Sequence, residues 1–227
     1  MPETAQMLCL NRCKAGDAGH ALGLKSGDLL IAVDGKRWTG TINSLKTRLS
    51  DGKDTVTLTF QRGEAVWSVL TERLDLGQWG QAPLPVDLSF DAFSTDLLYN
   101  WEIVANSNAT YDLFALRPSL FALVAPGVWL AYHRLWTLLA TVWAAMAVAL
   151  PAGAPLVVGL WIAVGVHLWR NGAAHLRVDR AAEGFHRVAV VAARGETEAI
   201  AICETLYPGA RFRFDGTSKP CALPAST

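Results

Sequence analysis

The chain has 227 residues with 20 Lys+Arg against 20 Asp+Glu, and it is 52% apolar and only 18% charged. That composition excludes a disordered or acidic tail protein. A formal net charge of zero also lacks the basic excess that displaces counterions from nucleic acid, so no nucleic-acid partner is expected. The balance is uneven: residues 1–116 carry 10 basic and 14 acidic side chains, whereas residues 117–227 carry 10 basic and 6 acidic. An apolar, net-positive second half is how a membrane-attached segment reads.

Met1–Lys14 contains no continuous apolar stretch of 7–15 residues and no small-residue cleavage site, so the first domain is expected in the cytoplasm. Cys9, Cys13, Cys203 and Cys221 are too scattered for a disulfide scaffold, and none forms a CxxC pair. Met7–Asn11 is expected as a strand. Leu29–Val33 is a second, stopped by Asp34-Gly35, a dipeptide that tolerates positive φ in a hairpin turn. Ile42, Leu45 and Leu49, spaced three and four apart, mark a short amphipathic helix closed by Gly52. Thr55–Phe60 alternates as a half-buried strand, and Arg62-Gly63-Glu64 turns the chain into a partner strand, Ala65–Thr71. Pro83, Pro85, Gly77 and Gly80 without a periodic run mark Leu74–Phe93 as a linker. Asp91–Asn100 is expected to form a short helix.

The order Gly23-Leu24, Gly27-Asp28, Val33-Asp34-Gly35, short helix and Thr-Val-Thr-Leu strand resembles a bacterial PDZ domain over about residues 7–73. The resemblance implies a small β-barrel that binds an extended peptide by β-augmentation, in a groove between one strand and the helix. On this chain the groove would be formed by Met7, Cys9 and Asn11 on the strand and by Ile42, Leu45 and Leu49 on the helix. The family places a glycine-containing loop just before the groove strand, and Pro2–Gln6 has no glycine. An internal or membrane-adjacent segment is therefore the expected guest, rather than a free C-terminus.

Leu135–Trp169 is a run of 35 residues without Lys, Arg, Asp or Glu. One spanning helix needs about 20 apolar residues, and Pro151-Ala-Gly-Ala-Pro155 interrupts the run near its middle. The expectation is a hairpin of two helices, about Arg134–Leu150 and Leu156–Arg170. Arg117 and Arg134 precede it, Arg170, Arg177, Arg180 and Arg187 follow it, and its turn is uncharged, so both ends are expected on the cytoplasmic face. Trp129, His133, Arg134, Trp136, His167, Trp169 and Arg170 are the candidate residues at the membrane–water interface. The uncharged stretch Pro118–Tyr132, broken by Pro126-Gly127, is expected to be interfacial or re-entrant.

Asn100–Asn106, Ser119–Phe121 and Gly127–Trp136, with the basic exit His175–Arg180 and the tail His186–Arg194, resemble a bacterial family of small membrane proteins of unknown function over about residues 100–213. That resemblance implies location and topology but no reaction. Read directly, Phe185–Ala192 is a strand, Glu196–Leu206 a helix and Arg211–Phe214 a short strand.

The expected architecture is thus α+β. A PDZ-like barrel with a short helix fills 1–73, a linker 74–99, and a pre-membrane segment with an interfacial helix 100–133. The transmembrane hairpin occupies 134–170 and a small cytoplasmic α/β cap 171–227. No His-Glu-x-x-His, Gly-x-Ser-x-Gly or phosphate-binding Gly-x-x-x-x-Gly-Lys-Ser/Thr occurs, so no enzyme is expected. No cofactor is required. His133 and His167, expected at one depth of the hairpin, are the pair that would hold haem, a metal or a pigment. The expected function is that of a bacterial inner-membrane, PDZ-like adaptor that recruits another membrane protein at the cytoplasmic face. The alternative is an accessory or assembly subunit bound through its hairpin, where Ala144, Ala145, Ala147, Ala149, Gly159, Ala163 and Gly165 permit close helix approach.

Overall fold

The computed structural model describes residues 6–50, 55–73, 75–83 and 92–214. The fold is α+β, in two compact units. One unit is built from the chain up to Ala115 together with the chain from His186; the other is the intervening 70-residue segment Leu116–Phe185.

The first unit opens with β1 (Gln6–Arg12), α1 (Ala18–Ala21), β2 (Leu29–Val33), the two-residue β3 (Lys36–Arg37) and α2 (Ile42–Ser50). β4 (Val56–Arg62), β5 (Ala65–Thr71) and β6 (Gln78–Pro83) follow. They make one sheet in the order β5-β4-β2-β1-β6, with β3 appended to β2. This sheet is open: the expected barrel does not close. The alternating residues of β4 explain its place in the middle. Val56, Leu58 and Phe60 are fully buried on one face, while Thr59 on the other bonds Ser68 at 2.9 Å. Arg62, at the end of β4, forks onto Asp28 with two bonds of 2.7 Å, and Asp28 is wholly buried. The Gly27-Asp28 and Arg62-Gly63 pairs read in the sequence are thus two halves of one structural lock.

Gln78–Pro83, expected as linker, is strand β6. Met7, Leu8, Cys9 and Leu10 of β1 face Ala82, Gln81, Gly80 and Trp79 in antiparallel register. No alternation marks this segment, so its strand state is imposed by β1 and by Trp79, which stacks on Phe60 at 6.3 Å. Residues 92–98 carry no helix, and Tyr99–Asn100 already belong to a strand, so the expected helix over Asp91–Asn100 is replaced there; Asp91 itself lies outside the described residues.

β7 (Tyr99–Ala105) and β8 (Thr110–Ala115) form a hairpin, and β9 (His186–Ala193) pairs with the other edge of β7. The second sheet has the order β10-β8-β7-β9, where β10 is Arg211–Phe212. In chain order the helices between β8 and β9 are α3 to α6, given below, and α7 (Glu196–Leu206) follows β9. Two expected boundaries fail here. Asn100–Ala105 is not a pre-membrane entry, and the tail is not a separate cap. Both enter one buried cluster with the first sheet, in which Leu8, Phe60 and Val69 share a core with Ile103, Tyr111, Val191 and Cys203. The Asn100 side chain bonds both backbone groups of Leu70 at 2.8 and 3.0 Å and so extends β5 toward β7. Gly23 is required where β9 passes: its φ is +78°, and a Cβ there would meet the Val188 carbonyl at 2.5 Å.

The second unit contains α3 (Leu120–Val124), α4 (Pro126–Tyr132), α5 (Trp136–Ala149) and α6 (Ala154–Ala182). Ser119 caps α3, and Pro126 separates α4 from it. Arg134, at φ +58°, turns the chain between α4 and α5. After α5 the chain tightens into a 3-10 turn, Leu150–Ala152, and bends at Gly153, whose φ is +100°. The interruption therefore falls inside the expected Pro151–Pro155 bend. The second helix does not stop at Arg170, however; it continues for twelve residues to Ala182. It is roughly 43 Å long at 1.5 Å per residue.

Candidate functional site

Two places were expected to carry function: a peptide groove on the first sheet and the ends of the apolar helices.

The groove residues are not arranged as expected. β1 is an interior strand, bonded to β2 on one edge and to β6 on the other. A guest strand therefore has no edge to join along Met7–Asn11. Met7 is 2% exposed, Cys9 is half-buried and Asn11 is exposed beside β6. On α2, Leu45 and Leu49 point into the core and Ile42 is partly buried against it. These leucines hold the helix on the sheet, and their spacing reports packing. Burial, seconded by the nearby Asp28, raises the Cys9 thiol above its usual range, and burial followed by Asp17 and Asp28 does the same for Cys13. Neither is poised as a nucleophile.

The edge that sheet order leaves at this side is β6, the last strand of the path among the described residues. Just before β6 stands Gly77, at φ +135°, with the Arg12 carbonyl 2.5 Å from where a Cβ would lie. The loop around it is anchored: Ala18 N–H donates to the Asp75 carbonyl at 2.9 Å, and the Cys13 thiol approaches the Leu76 carbonyl at 3.6 Å. A glycine-containing loop thus precedes an edge strand, one strand over from the expected position. The sequence signal was Gly77 itself, read there only as a linker residue.

In the helical unit, α3 packs against the first half of α6 and α4 against its second half. Leu123 backs onto Gly165, where a Cβ would meet its carbonyl at 2.4 Å; Trp129 covers Gly172; and Arg180 Nη2 donates to the His133 carbonyl at 3.3 Å. Trp129 is consequently 4% exposed, a core residue rather than an interface anchor. Arg180, expected as part of a basic exit, is 3% exposed and is held by Asp179 at 2.5 Å. Trp136, Arg134, His167 and Arg170 are exposed and Trp169 is half-buried.

His133 and His167 do not form a pair. His133 sits beside Arg180, with its ring 4.5 Å from Trp129 and 5.1 Å from Tyr132. Thirteen helical residues separate positions 167 and 180, about 20 Å along the axis. The extension of α6 past Arg170 is what removes the two histidines from one depth. His167 meets His175 instead, Nε2 to Nε2 at 2.9 Å. Both line an apolar cavity of about 290 Å³ bounded by α4, α5 and α6. Among the described residues, no group of three or more His, Cys, Asp or Glu could hold a metal ion together.

No protein-family model and no curated protein matches the chain. Its function is therefore argued from this geometry.

By length and composition α6, at 29 residues, is long and apolar enough to cross a membrane. α5, even with its 3-10 turn, falls below that length. Beside the buried Trp129, Leu130, Leu135 and Leu168, the unit turns other large apolar side chains outward: Trp143, Val148, Leu156 and Ile162 on α5 and α6, and Leu120, Val124 and Val128 on α3 and α4, are all more than half exposed.

Proposed function

We propose that the chain is a membrane-attached binding module: the helical segment holds it in a bacterial inner membrane, and the first sheet captures an extended segment of another membrane protein at the cytoplasmic face. The observation that carries the binding half is the position of β6 at the edge of the sheet among the described residues, preceded by the Gly77 loop. An edge strand offers unpaired N–H and C=O groups to a guest strand, and alternate side chains give selectivity. The PDZ resemblance supports the same reading, with the addition edge moved from β1 to β6. Tethering raises the local concentration of module and partner, so a modest affinity suffices.

The membrane half rests on the outward apolar side chains of α3 to α6, a surface that water disfavours. The connectivity supports the same-side topology. The segment Leu116–Phe185 leaves β8 opposite Trp101 and returns into β9, whose first residue faces Ala105, within one sheet. Strands bonded in one sheet occupy one compartment, so this reading requires the inserted helices to enter and leave the membrane on the same side.

Selection of a displayed random-peptide library on the purified chain, followed by hydrogen exchange with the enriched peptide, tests the binding half. The expected result is new amide protection confined to Gly77–Pro83. Protection elsewhere, or no enrichment, removes the reading. Cysteine labelling in intact and opened cells tests the topology: sites before β1 and after β10 should share one side.

The accessory-subunit reading keeps one specific support. Gly159 on α6 is exposed with nothing within 4 Å of a built Cβ, so another helix could approach it closely, whereas Gly165 is already covered by Leu123.

A further inference from the structure

The turn between α5 and α6 offers no side chain to water. From Val142 to Leu160 no residue carries a charge, amide, hydroxyl or imidazole. Val148, Leu150, Leu156 and Val158, on either side of the turn, are all more than half exposed. The turn also satisfies its own backbone. Pro151 and Pro155 have no N–H to satisfy. The Leu150 N–H donates to the Met146 carbonyl, and the Gly153 N–H to the Leu150 carbonyl at 3.1 Å. The N–H groups of Leu156 and Val157 both donate to the Gly153 carbonyl, at 3.2 and 3.5 Å. A turn in hydrocarbon must bond its backbone internally, because no water is there to do so. A turn in the far headgroups is expected to carry polar or amphipathic anchors, and this one has none.

Length and charge agree. The uncharged arm of α6, Ala154 to Trp169, is roughly 24 Å long at 1.5 Å per residue, and any tilt shortens its reach. The hydrocarbon core of a bilayer is about 30 Å thick. Arg134 and Arg170, which bound the uncharged run, are exposed, and no acidic residue occurs from Leu116 to Val178. Such cations suit the anionic headgroups of one face. The other end of the hairpin has no counterpart. α3 and α4 also dip and return: their contacts pass down α6 from Gly165 to Trp161, whose Nε1 donates to the Val124 carbonyl at 3.4 Å, then back through Gly172 to Arg180. We propose that the helical segment is a one-sided anchor. It enters a bilayer from the face that meets Arg134 and Arg170, and the α5–α6 turn ends inside the hydrocarbon instead of in the water beyond. Its partner is an anionic headgroup layer with the acyl chains beneath it. This rests on the membrane half of the reading above and narrows it, since the segment presents nothing at the opposite face.

The test uses the full chain in bacterial cells, with Cys9, Cys13, Cys203 and Cys221 changed to alanine and one new cysteine, Ala152→Cys or Arg170→Cys. A membrane-impermeant maleimide is applied to spheroplasts and, separately, to inverted inner-membrane vesicles. Arg170→Cys should label in one preparation alone, which identifies the near face. Ala152→Cys should label in neither until detergent is added. Labelling of Ala152→Cys from the opposite face overturns the one-sided anchor and leaves the membrane reading standing. Its labelling from the near face, or recovery of the chain in the soluble fraction, overturns both. A second measurement needs no cysteine replacement. In the parent chain, Ala152→Lys should lower the carbonate-resistant membrane fraction roughly tenfold, because the new charge has no water to reach. Thr137→Lys, at the exposed headgroup end, should leave that fraction as in the parent. An Ala152→Lys chain as firmly held as the parent also overturns the proposal.

Discussion

Arg187 and Glu102, 85 residues apart in sequence, form a forked pair: Nε and Nη2 of the arginine donate to the two carboxylate oxygens at 2.9 and 2.8 Å. Glu102 is 1% exposed, and Arg187 also donates through Nη1 to the Ala21 carbonyl at 2.9 Å. Arg187 is the second residue after the helical segment, so the pair fastens the returning chain to β7 and to the last residue of α1. The hydrogen bonds to Glu102 hold the guanidinium still more firmly protonated than usual, against the opposing effect of burial.

Arg187→Ala removes the forked charged partner of a buried carboxylate. It should destabilise the first unit by about 2–3 kcal/mol. Replacing both residues with leucine should recover most of the loss, because no orphan charge then remains. Urea unfolding followed by circular dichroism in micelles measures both. A single variant with unchanged midpoint would show that the pair is ornamental.

The elements legible in the sequence are those whose pattern is local. Leu29–Val33, Ala65–Thr71 and Glu196–Leu206 appear with the boundaries that alternation or helical spacing gave them. β6 was not legible because Gln-Trp-Gly-Gln-Ala-Pro carries no period of its own and becomes a strand only against β1. β7 was not legible as part of a sheet because its partner β9 lies beyond a 70-residue insertion. Arg170, Arg177 and Arg180 marked a helix end by charge alone; burial of Arg180 against His133 shows why the helix continues. At the candidate groove the sequence spacing put Leu45 and Leu49 on one face of a short helix and offered that face to a guest, but spacing could not say that the face was already filled by the core.

That filling makes a second prediction. Leu45 is 1% exposed in the core cluster. Leu45→Ala should cost about 2–5 kcal/mol of stability. It should leave peptide affinity unchanged at temperatures where the variant remains folded. A folded Leu45→Ala protein that has lost only peptide binding would return the groove to α2.

Two glycines of α6 should respond oppositely to the same methyl group. Gly159 faces open space, so Gly159→Ala should be neutral or stabilise by roughly 0.5–1 kcal/mol through helix propensity. At Gly165 the new Cβ would lie 2.4 Å from the Leu123 carbonyl, so Gly165→Ala should destabilise by about 1–3 kcal/mol as α3 is pushed away. Thermal unfolding in one detergent compares them. Equal shifts would mean that α3 does not rest on α6.

Cys203 supplies a pH prediction. It is fully buried on α7, and burial, assisted by Glu204, pushes its thiol from the ordinary 9.0 up to about 12. The folded state therefore keeps a proton that the unfolded chain releases above pH 9. Stability from this group is complete below that pH and falls as pH rises toward 12, by about 1.4 kcal/mol for each pH unit. Cys203→Ala removes the thiol with little change of volume, so its stability should decline less steeply over the same interval. Denaturation curves at pH 8, 9.5 and 10.5 give the two slopes. Parallel slopes would mean that the thiol ionises as readily in the folded core as in the open chain, which its 0% exposure forbids unless α7 detaches first.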